Sequence, residues 1–214
     1  MPRQAQAPSR HWTLVTGALM LVIELLFVAG LVSPDWARAI RATEAASRRQ
    51  DLGDRAEWVE DTARGGFEGA FVATGLVAAS YAFLLPDAAE RRDTRGLEPL
   101  GEGPLFGFVR GRLEVAWGML ALALERLAWL LAWGPLAGLA TAAALADAGL
   151  RRRRREAGFT PPQALRHRLA AEGLRVLAWG VLYGLFVPWP WPAASALVVL
   201  ALAAALTGAL TAHR

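Results

Sequence analysis

The stretch LRVLAWGVLYGLFVPWPWPAASALVVLALAAALTGALTA, residues 174–212, decides the fold class. Two apolar runs, 174–187 and 193–212, flank the alternation Pro188-Trp189-Pro190-Trp191-Pro192. Proline has no amide donor and its ring clashes with the preceding helical turn. The alternation therefore reads as the turn of a helical hairpin. Tryptophan prefers the headgroup level of a bilayer, so this turn is expected at a membrane interface. A hydrocarbon core of roughly 30 Å needs about 20 helical residues. The second run meets that length. The first is shorter and spans only with Arg175 and Trp179 near the surface.

Two more apolar runs lie N-terminal to the hairpin, at residues 12–33 (WTLVTGALMLVIELLFVAGLVS) and 127–146. The chain has 214 residues and is 55% hydrophobic, and that content is concentrated in these runs. The expectation is an all-α integral membrane protein with about four transmembrane helices, a helical periplasmic segment and one extra-long helix.

The boundaries follow from charge and turn chemistry. Residues 1–10 are polar and read as a disordered cytoplasmic N-terminus, and residues 11–33 as the first span. Ala37-Arg38-Ala39 resembles a signal-peptidase site, but a signal h-region is usually about 7–15 residues, shorter than this run. The helix is expected to be retained. Ser33-Pro34-Asp35 is a helix start, with Ser as cap and Pro at the first position. It opens a periplasmic helical region, 34–112, whose charges alternate with Ile40, Leu52, Trp58 and Val59 as on an amphipathic, water-exposed helix. Within it, residues 66–85 are apolar but carry Glu68, three glycines and Tyr81, and are read as non-spanning. If they crossed, there would be five spans and an external N-terminus. A long helix over 113–150 should follow, bent at Pro135. Glu114, Glu125 and Arg126 lie on the half of it outside the lipid. Residues 151–173 form an Arg-rich loop that the positive-inside rule holds in the cytoplasm, and 174–212 are the transmembrane hairpin.

Composition narrows the chemistry. The chain lacks lysine, so all 23 basic residues are arginine, and it lacks cysteine, which removes disulfides and thiolate sites. The three histidines are scattered at positions 11, 167 and 213. Phosphate-loop, zinc-protease and nucleophile-elbow motifs are absent. The reading is a protein without enzymatic activity, cofactor or metal. Glu24 lies midway along the first span, where an ionised carboxylate is costly. It is either a proton or ion site of a small transporter or a polar helix-packing contact. Packing is preferred, because Arg126 lies too far along its own span to pair with it readily. The run Arg151, Arg152, Arg153, Arg154 and Arg155 stops and orients a span and suits anionic lipid headgroups. No aromatic residues interleave it, so direct contact with nucleic acid is not expected. Gly134-xxx-Gly138 and Gly180-xxx-Gly184 permit close packing of spans two and three, within a subunit or in a homo-oligomer.

The order of these features resembles a family of membrane proteins encoded on integrating conjugative elements and related plasmids, beside the type IV coupling protein and secretion genes. The resemblance covers about residues 11–214. It rests on Ile23-Glu24, Pro34 and Trp36, Arg126, Asp147 before the basic run, and Arg155-Glu156-Ala157-Gly158-Phe159. This chain departs from the family where it continues Thr160-Pro161-Pro162, with His167-Arg168 only later. The resemblance implies four spans and an inner-membrane accessory protein of conjugative DNA transfer. Its partners would come from a coupling or secretion complex, and Glu24, Trp36, Arg126, Asp147, the Arg run, Glu156 and Phe159 would be the interaction residues.

Overall fold

The computed structural model describes residues 10–85, 104–158, 164–192 and 194–212, and every regular element among them is helical. Helix α1 spans Arg10–Leu31, α2 Pro34–Leu52 and α3 Arg55–Phe67. A π-helical turn, Glu68–Val72, extends α3 before the short α4, Leu76–Leu84. Helices α5 (Pro104–Ala132), α6 (Gly134–Ala157), α7 (Ala164–Phe186) and α8 (Ser195–Ala212) complete the described chain.

Local chemistry accounts for the boundaries. The Ser33 hydroxyl accepts the Trp36 amide at 3.2 Å, Pro34 takes the first position of α2, and Asp35 lies in the first turn near its positive pole. Gly53 turns the chain into α3 with φ 55°, and its amide closes on the Arg49 carbonyl at 3.1 Å. Gly75, with φ 77°, separates the π-helical turn from α4, and the two sides of the break differ by 55°.

The single long helix expected over 113–150 is two helices. Pro135 has no amide to offer the Leu131 carbonyl, and its ring would crowd that carbonyl. Gly134 before it is a poor helix former. The chain breaks at Trp133, with φ −86° and ψ 0°, and α6 restarts as the Ala137 amide meets the Trp133 carbonyl. The apolar run 127–146 is therefore cut in two. Its beginning joins the sequence Leu105–Ala132, which is long and apolar enough to cross a membrane. Helix α5 also starts at Pro104, earlier than the expected start of the long helix at 113, and the helices α6 and α7 take in most of the expected 151–173 loop.

Helices Leu105–Ala132, Ala164–Phe186 and Ser195–Ala212 are each long and apolar enough to cross a membrane. The bent pair Arg55–Val72 and Leu76–Leu84 would make a fourth if it counts as one span, and Val15–Val28 is a shorter apolar helix. Helix α1 exposes Val15, Leu19, Met20, Val22, Ile23, Leu26, Phe27 and Leu31. Leaving a large aliphatic side chain in water forgoes about 1.5–3 kcal/mol. Such composition points to a membrane protein.

Helices α2, α3 and α5 form a three-helix layer. Pro34 lies against Gly111 and Arg48 against Glu125, so α2 runs in the direction of α5. Phe67 meets Trp117, while Val59 and Ala63 share a core with Trp129 and Ala132, so α3 runs back. Val28 of α1 and Val32 just after it join this layer through Ala37, Ile40, Val115, Met119 and Leu122. The region expected to be amphipathic thus buries one stripe, Ala37, Ile40, Glu44 and Arg48 on α2 and Ala56, Val59 and Ala63 on α3.

The remaining helices meet through small residues, though not the expected ones. Helix α8 packs on α6 where a Cβ at Gly208 would stand 3.1 Å from the Ala144 carbonyl oxygen. The expected pairs bring no helices of this chain together. Gly134, Gly138 and Gly180 face open space, and Gly184 faces Trp191. On α1, Gly17 lies under the Trp179 ring and its carbonyl accepts the Tyr183 hydroxyl at 3.0 Å.

Gly208→Leu is expected to force α6 and α8 apart and destabilise the fold by about 1–3 kcal/mol. Gly138→Leu, which meets no neighbour in the chain, should leave the unfolding temperature in detergent near wild type. Equal losses from the two variants would contradict this packing.

Candidate functional site

The side chains that organise the interior are charged. Arg126, on α5, is fully buried, and all of its N–H groups have acceptors nearby. Nη1 donates to the carbonyls of Gly184, Leu185 and Val187 at 2.7, 2.9 and 3.0 Å. Nη2 donates to the Trp189 carbonyl at 2.8 Å and to Glu44 Oε1 at 2.6 Å. Nε donates to the same carboxylate, at 3.1 and 3.3 Å.

The acceptors are available for reasons written in the sequence. Gly184 and Leu185 lie in the last turn of α7, whose carbonyls have no partner inside the helix. Val187 and Trp189 each precede a proline, which holds them extended and offers no amide in return. A cation here also sits at the negative pole of α7. Trp191 completes the fit. Its ring faces the guanidinium at 5.3 Å, its Nε1 donates to the Gly184 carbonyl at 2.9 Å, and its amide donates to Glu44 Oε1 at 2.9 Å.

Glu44 passes the charge pattern to α2. Arg48, one turn on, reaches Glu44 Oε2 at 3.4 Å and also pairs with Glu125 of α5. Arg41 holds the other oxygen of Glu125 at 2.8 Å. Two carboxylates and three guanidinium groups thus tie α2 and α5 to the Pro-Trp turn. Burying a lone ion costs several kcal/mol. A hydrogen bond to a charged group returns about 1.5–3 kcal/mol, so only a fully engaged guanidinium offsets its own desolvation. Lysine, with three donors on one nitrogen, cannot span this acceptor set.

The structure brings together some of the residues expected to matter and separates others. Trp36 joins the site, since its Nε1 donates to the Pro188 carbonyl at 2.9 Å and its ring lies 6.3 Å from that of Trp189. Arg126 pairs with Glu44, and no ion pair joins it to Glu24. Glu24 is half-buried, and its Oε2 has no hydrogen-bond partner. Asp147 pairs with Arg151 at 2.5 Å and Arg152 with Glu156 at 2.9 Å, both along the exposed end of α6. Such exposed i,i+4 pairs contribute about 0.3–0.5 kcal/mol. Arg153 and Arg154 are exposed, while Arg155 turns inward and donates to the Ala212 carbonyl at 2.9 Å. Phe159 lies outside the described residues.

Glu44, Arg48, Glu125 and Trp191 were not among the expected site residues. Glu44 and Arg48 carried a readable signal, because they continue the spacing of Ala37 and Ile40 on the buried stripe of α2.

These features define an all-helical protein of membrane-like composition, with an extended helical layer locked to a Pro-Trp turn by a buried charge cluster. A family described as IncC plasmid conjugative DNA transfer protein DtrJ-like matches residues 31–213, and the chain belongs to it. The match includes Trp36, Arg126 and the Arg run, and begins after Glu24. The family description names DNA transfer and no catalytic reaction. No curated protein and no solved structure matches the chain.

Arg126→Ala is expected to cost roughly 3–5 kcal/mol by leaving Glu44 buried and unpaired. Arg126→Lys should recover little of that loss. The double variant Glu44→Ala/Arg126→Ala should lose less than the sum of the single losses. Thermal unfolding of the solubilised protein measures all three, and simple additivity would show that the pair does not act as a unit.

Proposed function

We propose that this chain is a non-enzymatic inner-membrane scaffold of a conjugative DNA-transfer apparatus, acting beside the coupling protein and the type IV secretion channel. The observation that carries this reading is the family match, which spans the helical layer, the charge cluster and the Arg run. An integrating conjugative element or a related plasmid would encode it.

In this reading α1 and α7 leave the membrane on the periplasmic side, with the layer of α2, α3 and α5 outside. Contacts at the two ends support that arrangement. Trp36, just past α1, bonds to the turn that follows α7. At the opposite end, Arg155 and His167 meet the Ala212 and Leu210 carbonyls near the end of α8. Helices α1, α6, α7 and α8 then alternate in direction, as four spans require. Leu105–Ala132, although long and apolar enough to cross a membrane, stays in the outer layer in this reading because its Glu125 and Arg126 pair with the charged α2. The exposed Arg151–Arg154 face lies at the cytoplasmic surface, where anionic headgroups are the nearest counter-charge.

Affinity purification from mating cells should recover coupling-protein or secretion-channel subunits with this chain, and deleting its gene should lower transfer frequency. Recovery of none of them would sink the scaffold reading. Reporter fusions should give an external signal at residue 50 or 95 and a cytoplasmic one at 160. A cytoplasmic signal at 50 would overturn the topology.

A second reading, a small proton or ion conductor, draws on the buried, unpartnered Oε2 of Glu24. The scaffold reading expects Glu24→Gln to transfer DNA at the wild-type rate. Loss of transfer at normal protein abundance would favour conduction instead.

A further inference from the structure

Helices α2, α3 and α5 enclose an open cleft of about 680 Å³ that the charge cluster does not fill. Its floor is built from small residues, among them Ala42, Ala45, Ala63, Gly118 and Ala121. Phe67 and Trp117 close one end, their rings 6.1 Å apart in an edge-on contact. The Arg49–Glu60 pair and Glu125 close the other. The volume falls within the usual range for ligand sites, about 300–1,000 Å³.

Five arginines line this cleft, and their donors are under-used. Arg38, Arg49 and Arg64 have side chains 67%, 68% and 66% exposed. Arg38 and Arg49 each bond a carboxylate through one terminal nitrogen, and Arg64 stands 3.9 Å from Asp61, beyond hydrogen-bond range. The deeper Arg41 and Arg48 have Nε atoms with no acceptor, although the Arg48 side chain is only 1% exposed. A guanidinium binds a carboxylate best through two parallel N–H groups, and the rim arginines keep such edges free. Their present ion pairs are exposed and weak, so an incoming carboxylate can replace them.

We propose that this cleft docks an acidic segment of a protein partner, with carboxylates on Arg38, Arg49 and Arg64 and an apolar side chain against Phe67 and Trp117. This rests on the scaffold reading and names the chemistry of one of its partners. Isolated carboxylates fit the lining better than a continuous phosphate chain does. Glu60, Glu114 and Glu125 alternate with the arginines, and Glu114 has no ion pair among the described residues. They would repel a polyphosphate along its length but leave single acidic side chains room between them.

The test uses the full chain in detergent and a fluorescein-labelled peptide of alternating Glu and Leu. The Glu peptide should bind about tenfold or more tightly than its Gln counterpart and should weaken by a similar factor on the double variant Arg38→Glu/Arg64→Glu. Arg38→Gln/Arg64→Gln guards against a folding defect, and both variants should unfold at the wild-type temperature. Arg152→Glu/Arg153→Glu, on the distant basic run, should bind like wild type. Equal binding of the two peptides, undiminished binding by the cleft variants, or stronger competition from a single-stranded oligonucleotide or from phosphatidylglycerol nanodiscs would overturn the proposal. Affinity purification with the cleft variants separates it from the scaffold reading. Wild-type recovery of transfer subunits combined with no peptide binding removes the cleft and leaves the scaffold. Peptide binding with no recovered subunit does the reverse.

Discussion

A guanidinium sealed from water must find an acceptor for every N–H, and the fold is arranged around meeting that demand at Arg126. Its acceptors come from α2, from the last turn of α7 and from the Pro-Trp turn. None of these alone could hold it. Glu44 supplies charge but too few lone pairs, and the carbonyls supply lone pairs but no full charge. Together they satisfy a group whose desolvation is among the largest single costs in the molecule. The apolar clusters on either side are built mainly from Ala, Val and single larger residues. They fill space around the cluster without dictating which helices meet.

The Pro-Trp turn contributes more than a reversal of direction. Its alternating prolines remove amide donors and hold the intervening residues extended, so its carbonyls are oriented before any partner arrives. Its tryptophans carry an apolar ring and one N–H each, which suits a boundary between helices and backbone. Trp36 and Trp191 use both properties, each packing a ring while donating to a carbonyl of this region. A single sequence motif thus serves both as turn and as acceptor array.

Much of the architecture was legible because hydrophobic runs, proline breaks and caps act over a few residues. The Ser33-Pro34-Asp35 start of α2 is a local event and formed where its side chains demand. The hairpin over 174–212 is equally local. The break at Trp133 was misjudged in degree, since Pro135 with Gly134 before it stops the helix where a bend was expected. The charge cluster was hidden for a different reason. Arg126 and Glu44 are 82 residues apart, and nothing near either one announces the other. Only the position of Glu44 and Arg48 on the Ala37–Ile40 stripe hinted that these charges turn inward. The Gly-xxx-Gly pairs misled because the spacing recurs by chance in a chain with 21 glycines, while the close approach falls at an isolated Gly208.

The chain order of the cluster also constrains how the protein is made. Synthesis delivers Glu44 first, then Arg126, and only much later the turn at 187–191. Until residues 184–189 emerge, the guanidinium has one carboxylate and lacks its four carbonyls. Every nascent chain therefore passes through a stage in which a charge destined for the interior is only partly satisfied and must stay hydrated. Chains that stop short of the hairpin cannot leave that stage. Sealing of α2 against α5 around Arg126 therefore waits on the last hairpin, although both helices are made long before it.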